Sequence, residues 1–416
     1  MRSDSPPPPA PALLILDISR LVYAAWSRTP TGIPRVELAY AEHFIATERD
    51  RLRFAVLDTF GRLRVVDSSL AVGFVREISG YWEGNVASVP AYLRVALRAI
   101  WIHLLLMMRP WGDLKSLVAA QDGRSLYIIP SQLQLEHSSL IEGLKTAGDL
   151  KLVYFVHDIL PSLLPAYFPD DAEERNRRRM ENAARLADAI IVNSQATAVS
   201  FKGRFGRDMA PEKLVVAPLG ITLGKNSATS YRPPSEPYFV MLGTIEPRKN
   251  HLLVLNLWRD LYAELGQKTP RLLLVGSRGW KNRDIIEMIE RNAPPRGAVE
   301  ELGRLPDAAV ASLLKGARAL LLPSFAEGYG LPLAEALSRG TPVLCSDLPV
   351  FHEVGAGIPD YLSPRNAEAW RAAVLDYAGP HSTRRAAQLR RLGSWSPPSW
   401  KRHFDIVDET LSILEK

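Results

Sequence analysis

The chain has 416 residues, of which 47% are hydrophobic, and it carries a formal net charge of +6. This length exceeds what a single hydrophobic core usually serves, so two domains are expected. The single cysteine, Cys345, excludes an intramolecular disulfide framework and argues against a cysteine-rich metal site. The positive charge favours anionic ligands or an anionic surface, and it does not distinguish between them.

The chain begins with MRSDSPPPPAP, a polar and proline-rich segment. This composition is typical of a disordered tail, here residues 1–11, and it shows no secretory signal, so we expect a cytoplasmic protein. The first buried strand is predicted at residues 13–17, and the segment T-G-I-P-R, which contains Gly32, opens the following helix. A glycine loop in this place is typical of phosphate binding, and a plain turn glycine fits as well.

The most apolar stretch of the chain runs from Tyr92 to Trp111. Its uninterrupted core is too short to span a bilayer, which needs about 20 residues. Two interpretations remain. The stretch is a core helix of the first domain, which we prefer, or it lies in a membrane interface with basic residues at its edges, namely Arg94, Arg98 and Arg109. The second interpretation predicts a peripheral protein at the inner face of the cytoplasmic membrane, with an anionic membrane surface as a partner.

A histidine follows the strand predicted at residues 152–156. This residue, His157, stands at the carboxyl end of a strand, where parallel sheets place their ligand sites. Catalytic residues tend to stand at such a position, although a lone histidine is more often structural. Its neighbour Asp158 either orients the imidazole ring or begins the next turn. Further along, the polar and proline-rich residues 225–237 indicate a linker between two domains.

A pair of cations marks the start of the second domain. The strand predicted at residues 238–242 is followed by G-T-I-E-P-R-K-N, which begins at Gly243 and contains Arg248 and Lys249 just before a predicted helix. An exposed Arg-Lys pair is usually solvated. Here the helix dipole adds to the two cations, and Arg offers a planar fork that matches phosphate, so we expect a diphosphate site.

The segment FAEGYGLPLAEA lies between two predicted buried strands, at residues 319–322 and 342–345. This is a βαβ unit whose loop lies at the ligand-binding edge of a parallel sheet. Its glycines allow close backbone approach, and Pro332 suits the first helical position, so free amides would face an anion. The carboxylates of Glu327 and Glu335 are predicted to face the same crevice. Amides and hydroxyl-binding carboxylates together suit a nucleotide sugar.

These residues resemble a known family. The pattern F-x-E-G-Y-G-L-P-x-x-E-A, together with V-H-D-x-x-P and P-R-K-N, resembles retaining glycosyltransferases of family four. The resemblance implies the GT-B fold, an α/β architecture of two Rossmann-like domains facing a cleft. It implies that Glu327 holds hydroxyls of the donor sugar and that Glu335 holds the ribose. It also implies that His157 meets the donor sugar from the first domain, and that Arg248 and Lys249 stabilise the departing diphosphate.

The resemblance extends to further donor-binding positions, which lie mostly in loops. These are Gly32, Gly243, Gly276, Leu305, Gly328, Tyr329, Gly330 and Leu331. One position departs from the pattern, because many members carry Arg after the first glycine of the second domain and this chain has Thr244. One phosphate contact is therefore missing or supplied elsewhere. The expected divisions are a tail at 1–11, an acceptor domain at 12–224, a linker at 225–237, a donor domain at 238–394 and a helix at 395–416 that returns to the first domain.

The resemblance implies transfer of a hexose from a nucleoside diphosphate to a glycan hydroxyl with the anomeric configuration retained. The motifs look most like bacterial mannosyltransferases of O-antigen or exopolysaccharide assembly, which favours GDP-mannose and an acceptor carried on polyprenyl diphosphate. No Asp-x-Asp motif is present, so we expect neither a metal nor another cofactor, and we expect no nucleic-acid partner. The alternatives are a nucleotide-sugar epimerase or a phosphorylase of GT-B fold, or a non-catalytic nucleotide-sugar-binding protein.

Overall fold

The computed structural model describes residues 12–27, 29–30, 32–82, 89–108, 112–207, 209–222, 231–291 and 297–416. The predicted tail at residues 1–11, the first part of the predicted linker, and Arg109 and Trp111 lie outside these residues. Within them the chain forms two α/β halves, each built on its own twisted sheet. The predicted α/β architecture of two Rossmann-like domains is confirmed by these two sheets.

The first sheet has the strand order β3-β2-β1-β4-β5-β6-β7 in the described part of the chain. Its strands are β1 Leu13–Asp17, β2 Leu52–Leu57, β3 Leu63–Val66, β4 Ser125–Ile129, β5 Leu150–Val156, β6 Ala189–Val192 and β7 Leu214–Val216. All neighbours are parallel except β2 and β3, which form a hairpin. The strands β1, β4 and β6 are buried at every residue, as expected for a sheet covered on both faces by helices.

The helices of the first half flank this sheet. They are α1 Ser19–Ala24, α2 Gly32–Thr47, α3 Ser68–Trp82, α4 Val89–Met108, α5 Leu114–Ala119, α6 Ser138–Lys145, α7 Leu160–Leu163, α8 Ala172–Leu186 and α9 Gln195–Phe205. Helix α9 begins at a capped position, because the Ser194 hydroxyl accepts the Thr197 amide at 3.0 Å. This cap keeps the loop between β6 and α9 short at the carboxyl edge of the sheet.

The apolar stretch forms α4, and the two interpretations of it apply to opposite faces of the helix. One face is buried and packs against α3 through Ala91, Val95, Ala99, Ile102 and Leu106. The other face exposes large apolar side chains to solvent. Arg98 is bound to Glu77 of α3 at 3.0 Å, so its charge is partly neutralised. None of the described helices is long and apolar enough to cross a bilayer.

The second sheet has the order β10-β9-β8-β11-β12-β13 and is parallel throughout its described strands. These are β8 Tyr238–Leu242, β9 Arg271–Val275, β10 Val299–Gly303, β11 Ala319–Leu322, β12 Val343–Ser346 and β13 Asp360–Leu362. The helices are α10 His251–Leu265, α11 Arg283–Arg291, α12 Asp307–Gly316, α13 Leu331–Ser338, α14 Pro349–Gly355, α15 Ala367–Ala378 and α16 Thr383–Leu392. Cys345 is a buried core residue of β12.

The last helix, α17 Trp400–Glu415, lies against the first half of the chain. His403 of this helix is buried, and its Nδ1 donates to the carbonyl of Ala217 at 3.1 Å. Its Nε2 accepts from the hydroxyl of Tyr40 at 3.0 Å. Burial lowers the pKa of His403 to about 4, so the ring is neutral near pH 7. The chain therefore crosses between the halves twice, once before β8 and once before α17.

Candidate active site

A cleft of about 480 Å³ lies between the two halves, and its walls come from corresponding positions in both sheets. The first half contributes the segments that follow β1, β5, β6 and β7, and the second half those that follow β8, β9, β10 and β11. These are the carboxyl ends of parallel strands, where open α/β sheets bind their ligands. We call this space the interdomain cleft, and it is the candidate active site.

Every side chain and glycine that the sequence assigned to the site lines the interdomain cleft. These are Gly32, His157, Gly243, Arg248, Lys249, Gly276, Leu305, Glu327, Gly328, Tyr329, Gly330, Leu331 and Glu335. They come from segments separated by up to three hundred positions in the sequence, and the fold brings them to one place. Their functional roles stay predictions.

The cations of the second half are positioned by an unusual backbone conformation. Arg248 and Lys249 lie in a single 3-10 turn, which ends at Asn250 with φ of 59° and ψ of 41°. This left-handed conformation is tolerated by asparagine better than by most other side chains. The side-chain amide of Asn250 donates to the carbonyls of Pro323 and Pro364, at 3.1 and 2.9 Å. The cation turn is thereby fixed against the loop that follows β11.

Glu327 binds both cations directly. Its Oε1 accepts from Lys249 Nζ at 2.5 Å, and its Oε2 accepts from Arg248 at 3.0 Å. The Ser324 hydroxyl donates to the same carboxylate at 2.6 Å. On its other side Arg248 donates to Glu246 at 2.5 Å. This cluster of two cations and two carboxylates is mostly buried, so every member is held in one orientation.

The pKa values of the two carboxyl groups in this cluster are shifted in opposite directions. Burial would raise the pKa of Glu327, but the adjacent Lys249 and Arg248 charges outweigh it and lower that pKa to about 2. Burial raises the pKa of Glu246. Glu327 is therefore ionised throughout the physiological range, and it is a weak base. A carboxylate of this kind accepts hydroxyl hydrogen bonds well, and it is poorly suited to remove a proton.

Glu335 lines the cleft near an ion pair that joins the two halves. Arg35 at the start of α2 donates to Asp307 at the start of α12, over a distance of 2.6 Å. Glu335 has no hydrogen-bonding partner among the described residues, and burial raises its pKa. A half-buried carboxylate without a partner is able to accept hydrogen bonds from a hydroxyl-bearing ligand.

His157 is buried and presents one nitrogen to a backbone carbonyl. Its Nε2 lies 2.7 Å from the oxygen of Pro130, which only accepts, so this nitrogen carries the hydrogen. Burial lowers the pKa of His157 to about 4, which makes the ring neutral near pH 7. The remaining nitrogen, Nδ1, is then an acceptor. Asp158 does not hold the ring, because its Oδ1 accepts the Leu160 amide at 3.0 Å and begins the next turn.

Two glycines of the Glu327 loop are required by the protein itself. A Cβ on Gly328 would lie 2.9 Å from the His157 carbonyl oxygen, so any side chain would separate the two halves of the cleft. Gly330 has φ of 108°, which side chains rarely adopt, and it stands at the N-cap of α13. We expected both glycines to serve ligand approach. Gly328 in addition allows the first half to contact the loop.

Two family models match adjoining parts of the chain. Residues 89–225 match the model described as Glycosyltransferase Family 4, and residues 225–376 match the model described as Glycosyl transferases group 1. Together they extend from the first half, through the linker, to α15 in the second. Both models describe glycosyltransferases, so both halves of the chain match that group of enzymes. The family resemblance noted in the sequence is thereby confirmed.

The curated relatives of this glycosyltransferase are bacterial proteins. O-antigen chain mannosyltransferase B of Escherichia coli is 35% identical over 164 residues, which cover 39% of this chain and 42% of the relative. The serotype-specific mannosyltransferase WbdA of Escherichia coli is 26% identical over 66% of this chain and 35% of its own length. O-antigen chain mannosyltransferase RfbU of Salmonella typhimurium is 26% identical over 55% of this chain and 65% of its own. The chain thus spans 35–65% of the length of these relatives.

Solved structures share the whole architecture of this glycosyltransferase. The Anabaena HepE protein, crystallised with UDP and glucose, matches with a TM-score of 0.62 and 16% identity over 96% of this chain and 99% of that one. Sucrose-phosphate synthase from Thermosynechococcus elongatus matches with a TM-score of 0.57 and 13% identity over 96% of this chain and 98% of that one. At such identities the likeness concerns the fold alone, and the fold is GT-B.

The structure adds residues to this glycosyltransferase site that the sequence did not single out. They include Arg20, Arg35, Glu246, Arg304 and Asp307. Arg20 and Arg304 are cleft cations without a carboxylate partner among the described residues. Arg20 follows the first strand by three residues, and that position at a strand's carboxyl end was the available signal.

Proposed function

We propose that this protein is a retaining glycosyltransferase that moves a sugar from a nucleoside diphosphate to a hydroxyl of a glycan acceptor. The observation that carries the proposal is the convergence of a locked, ionised carboxylate, two cations and a neutral histidine in one cleft between the two domains. The family supports the same chemistry. We further propose that the donor is GDP-mannose, since the named relatives are O-antigen mannosyltransferases.

The diphosphate of the donor would lie between the cation turn and the start of α13. Arg248 and Lys249 provide positive charge, and the amide of Leu331 at the start of α13 has no hydrogen-bond partner among the described residues. Both cations already share Glu327, so an incoming diphosphate would complete their coordination without recruiting distant side chains. As the bond to the sugar breaks, the same preorganised cations would stabilise the charge that develops on the phosphate.

Three side chains would hold the rest of the donor. Glu327 is fixed by its cations and retains lone pairs for sugar hydroxyls. Glu335 has no partner among the described residues and would accept from the ribose hydroxyls. From the first domain, Nδ1 of His157 would accept a sugar hydroxyl, because Nε2 is committed to Pro130. The sugar would thus be bound from both domains, and its reacting carbon would face the acceptor side.

The proton of the acceptor hydroxyl needs a base, and Glu327 does not fit that role. A carboxylate with a pKa of about 2 is a weak base and a weak nucleophile. We propose that a phosphate oxygen of the departing diphosphate takes the proton on the face from which it leaves. The new bond then forms on that same face, so the anomeric configuration is retained. The step balances within donor and acceptor: the bond from the anomeric carbon to the phosphate oxygen breaks, a glycosidic bond to the acceptor oxygen forms, and the acceptor proton moves to the diphosphate.

No metal ion is needed in this scheme, because Arg248 and Lys249 take the place that a divalent cation would fill beside the diphosphate. Transfer should therefore continue at an unchanged rate in the presence of a chelator. A rate that falls with chelation and returns with Mg²⁺ or Mn²⁺ would contradict this part of the proposal.

The acceptor would enter from the first domain. Arg20 lines the cleft there and has no side-chain partner among the described residues. An unpaired cation beside an open cleft suits an acceptor that carries phosphate, and we propose a glycan linked to polyprenyl diphosphate. This acceptor is consistent with the O-antigen names of the relatives.

A ligand screen followed by product analysis tests the proposal. Thermal unfolding with GDP, UDP, ADP and their mannose or glucose derivatives should show the largest rise for GDP and GDP-mannose, since a ligand that binds only the folded state stabilises it. Transfer to a lipid-linked glycan should then yield an α-linkage by NMR. Incubation of donor alone is the control. An epimerised donor in that control would favour an epimerase instead, and binding without transfer would favour a non-catalytic protein.

A further inference from the structure

The outer face of α4 is an unusually apolar part of the described surface. Six of the fourteen strongly exposed large hydrophobic side chains among the described residues lie on this one helix. They are Leu93, Leu97, Ile100, Trp101, Leu104 and Met107. We call these six residues the α4 stripe. Exposure ranges from 37% for Ile100 to 61% for Leu97, so the face is uncovered along its length.

Helical geometry makes the α4 stripe one continuous surface. At about 100° per residue its six members fall within an arc of roughly 120°, and they extend over roughly 21 Å of helix. Arg94 is exposed and lies at one edge of this arc, next to Trp101. His103 lies at the other edge. The residues of α4 from Val89 to Met108 include no acidic side chain.

The stripe is connected to the interdomain cleft. The ring of His103 lies 5.4 Å from the ring of Tyr23 in α1. Tyr23 is 41% exposed and Trp26, just after α1, is 48% exposed, so the apolar surface continues onto this short helix. The first turn of α1 carries Arg20, which lines the cleft. An occupant of the stripe would therefore lie beside the entrance through which the proposed acceptor passes.

We propose that the α4 stripe docks this protein onto an anionic lipid bilayer, with α4 lying in the plane of the interface. Three observations select this occupant. The stripe is apolar along one arc only, as in interfacial helices. Its charged flank is basic, which complements anionic lipid and not an acidic partner. Trp101 stands between the apolar arc and Arg94, where an indole places its ring in the apolar layer and its N–H in the polar one.

Docking in this geometry would bring the interdomain cleft to the membrane surface. A polyprenyl chain stays in the bilayer while its diphosphate and glycan project from it, so the enzyme has to bring its cleft to the membrane surface. The surface that continues from the α4 stripe through Tyr23 to Arg20 would connect the bilayer to the cleft. Only this use rests on the proposed function, because attachment to lipid needs neither donor nor acceptor.

Vesicle co-sedimentation of the full chain tests the inference. The protein should sediment with vesicles of phosphatidylcholine and phosphatidylglycerol, and sedimentation should fall as salt screens the anionic surface. Leu97→Gln should lower the partition coefficient by roughly tenfold, because a leucine buried in lipid becomes an amide. Arg94→Gln should lower it about fivefold, the contribution of one basic residue near an anionic leaflet.

Matched variants separate docking from folding. Ile413→Gln in α17 replaces an apolar residue that is 63% exposed, close to the 61% of Leu97, and Arg390→Gln removes an exposed cation from α16. Both should sediment like the parent. All four variants should keep the parent's unfolding midpoint, since none of the side chains is buried. Equal sedimentation of Leu97→Gln and the parent would overturn the inference.

Two further results would overturn it in distinct ways. Failure of the parent to sediment with anionic vesicles shows that the stripe does not bind lipid. A dimer that forms with rising protein concentration, is lost in Leu97→Gln and does not bind vesicles shows that a second copy covers the stripe. Transfer to a soluble glycan without vesicle binding refutes docking alone, whereas vesicle binding without any transfer refutes the proposed function alone.

Discussion

The two walls of the cleft are built on different principles. On the second-domain wall, Glu327, Arg248, Lys249 and Glu246 form a closed set of ion pairs, and a left-handed Asn250 fixes the turn that carries the cations. On the first-domain wall, Arg20 forms no ion pair among the described residues, and the ring of His157 donates from Nε2 to the carbonyl of Pro130. The first arrangement fixes the positions of its charges before a ligand arrives. The second leaves the charge of Arg20 outside any ion pair among the described residues.

Removal of Glu327 should have the largest effect on the second-domain wall. Glu327→Ala leaves two buried cations without their shared carboxylate, which costs about 3 kcal/mol of folding free energy. Turnover should fall more than a hundredfold, because the sugar loses its anchor as well. Free nucleoside diphosphate should bind at least as tightly as before, since the cations are released. Calorimetry with nucleotide and with nucleotide sugar checks the two affinities separately.

A matched substitution shows whether the loss of turnover is specific to this cluster or follows the loss of any ion pair. Glu290 is paired with Arg278 on the surface and is half exposed. Glu290→Ala should leave activity unchanged, since exposed pairs contribute little. If Glu327→Ala weakened nucleotide and nucleotide sugar equally, Glu327 would not be the residue that holds the sugar.

Lys249→Ala should have the next largest effect. A hydrogen bond to a charged group contributes about 1.5–3 kcal/mol, which corresponds to a roughly ten- to hundredfold loss in kcat/KM. Nucleoside diphosphate should lose more affinity than nucleoside, since the ammonium is proposed to bind the diphosphate. Equal binding of both by variant and parent would place the diphosphate elsewhere in the cleft.

Glu335→Gln tests the proposed contact with the ribose of the donor. The change preserves shape and removes the charge, so ribose hydroxyls lose a charged acceptor and about tenfold in affinity is expected. Nucleotide and nucleotide sugar should weaken together, because both contain the ribose. This shared loss distinguishes Glu335 from Glu327, and calorimetric titration of both ligands measures it. A loss confined to the nucleotide sugar would reverse the two assignments.

Arg20→Gln probes the first-domain wall. Because Arg20 is proposed to meet a phosphate of the acceptor, the KM for a diphosphate-linked acceptor should rise roughly tenfold. The donor affinity should not change. Arg304→Gln is the control on the opposite wall and should leave the acceptor KM as it is. If Arg20→Gln weakened the donor instead, Arg20 would be the phosphate contact that Thr244 does not supply.

The two walls also differed in how far the sequence could predict them. The second-domain wall is encoded in contiguous motifs, so the sequence identified Arg248, Lys249, Glu327 and Glu335. All four line the cleft. What the motifs did not show is that Glu327 is bound by both cations. That contact joins positions 78 residues apart, and only the packing of the β8 and β11 loops creates it.

Contacts that cross between the halves were beyond the sequence. The ion pair of Arg35 and Asp307 joins residues 272 positions apart, and no local pattern marks either partner. The apolar stretch of α4 shows a related limit. It is apolar on nearly all sides, so periodicity could not separate its core face from its exposed face. The neighbouring helix α3 decides which side is covered.

A fall in pH should reduce stability through His157 before it does so through Glu327. His157 has a pKa of about 4 when folded and about 6.5 when unfolded, so between these values the unfolded chain binds more protons and stability falls with falling pH. From pH 7 to pH 5.5 this amounts to about 1 kcal/mol. Glu327, with a folded pKa of about 2 against 4.5, loses its contribution only as pH falls below 4.5. Urea unfolding at pH 7 and 5.5 should show a pH-dependent loss that His157→Gln reduces by about 1 kcal/mol, whereas the same change at the exposed His381 leaves it intact. An unreduced loss in His157→Gln would mean that the imidazole is charged in the cleft, and that it donates to the sugar instead of accepting.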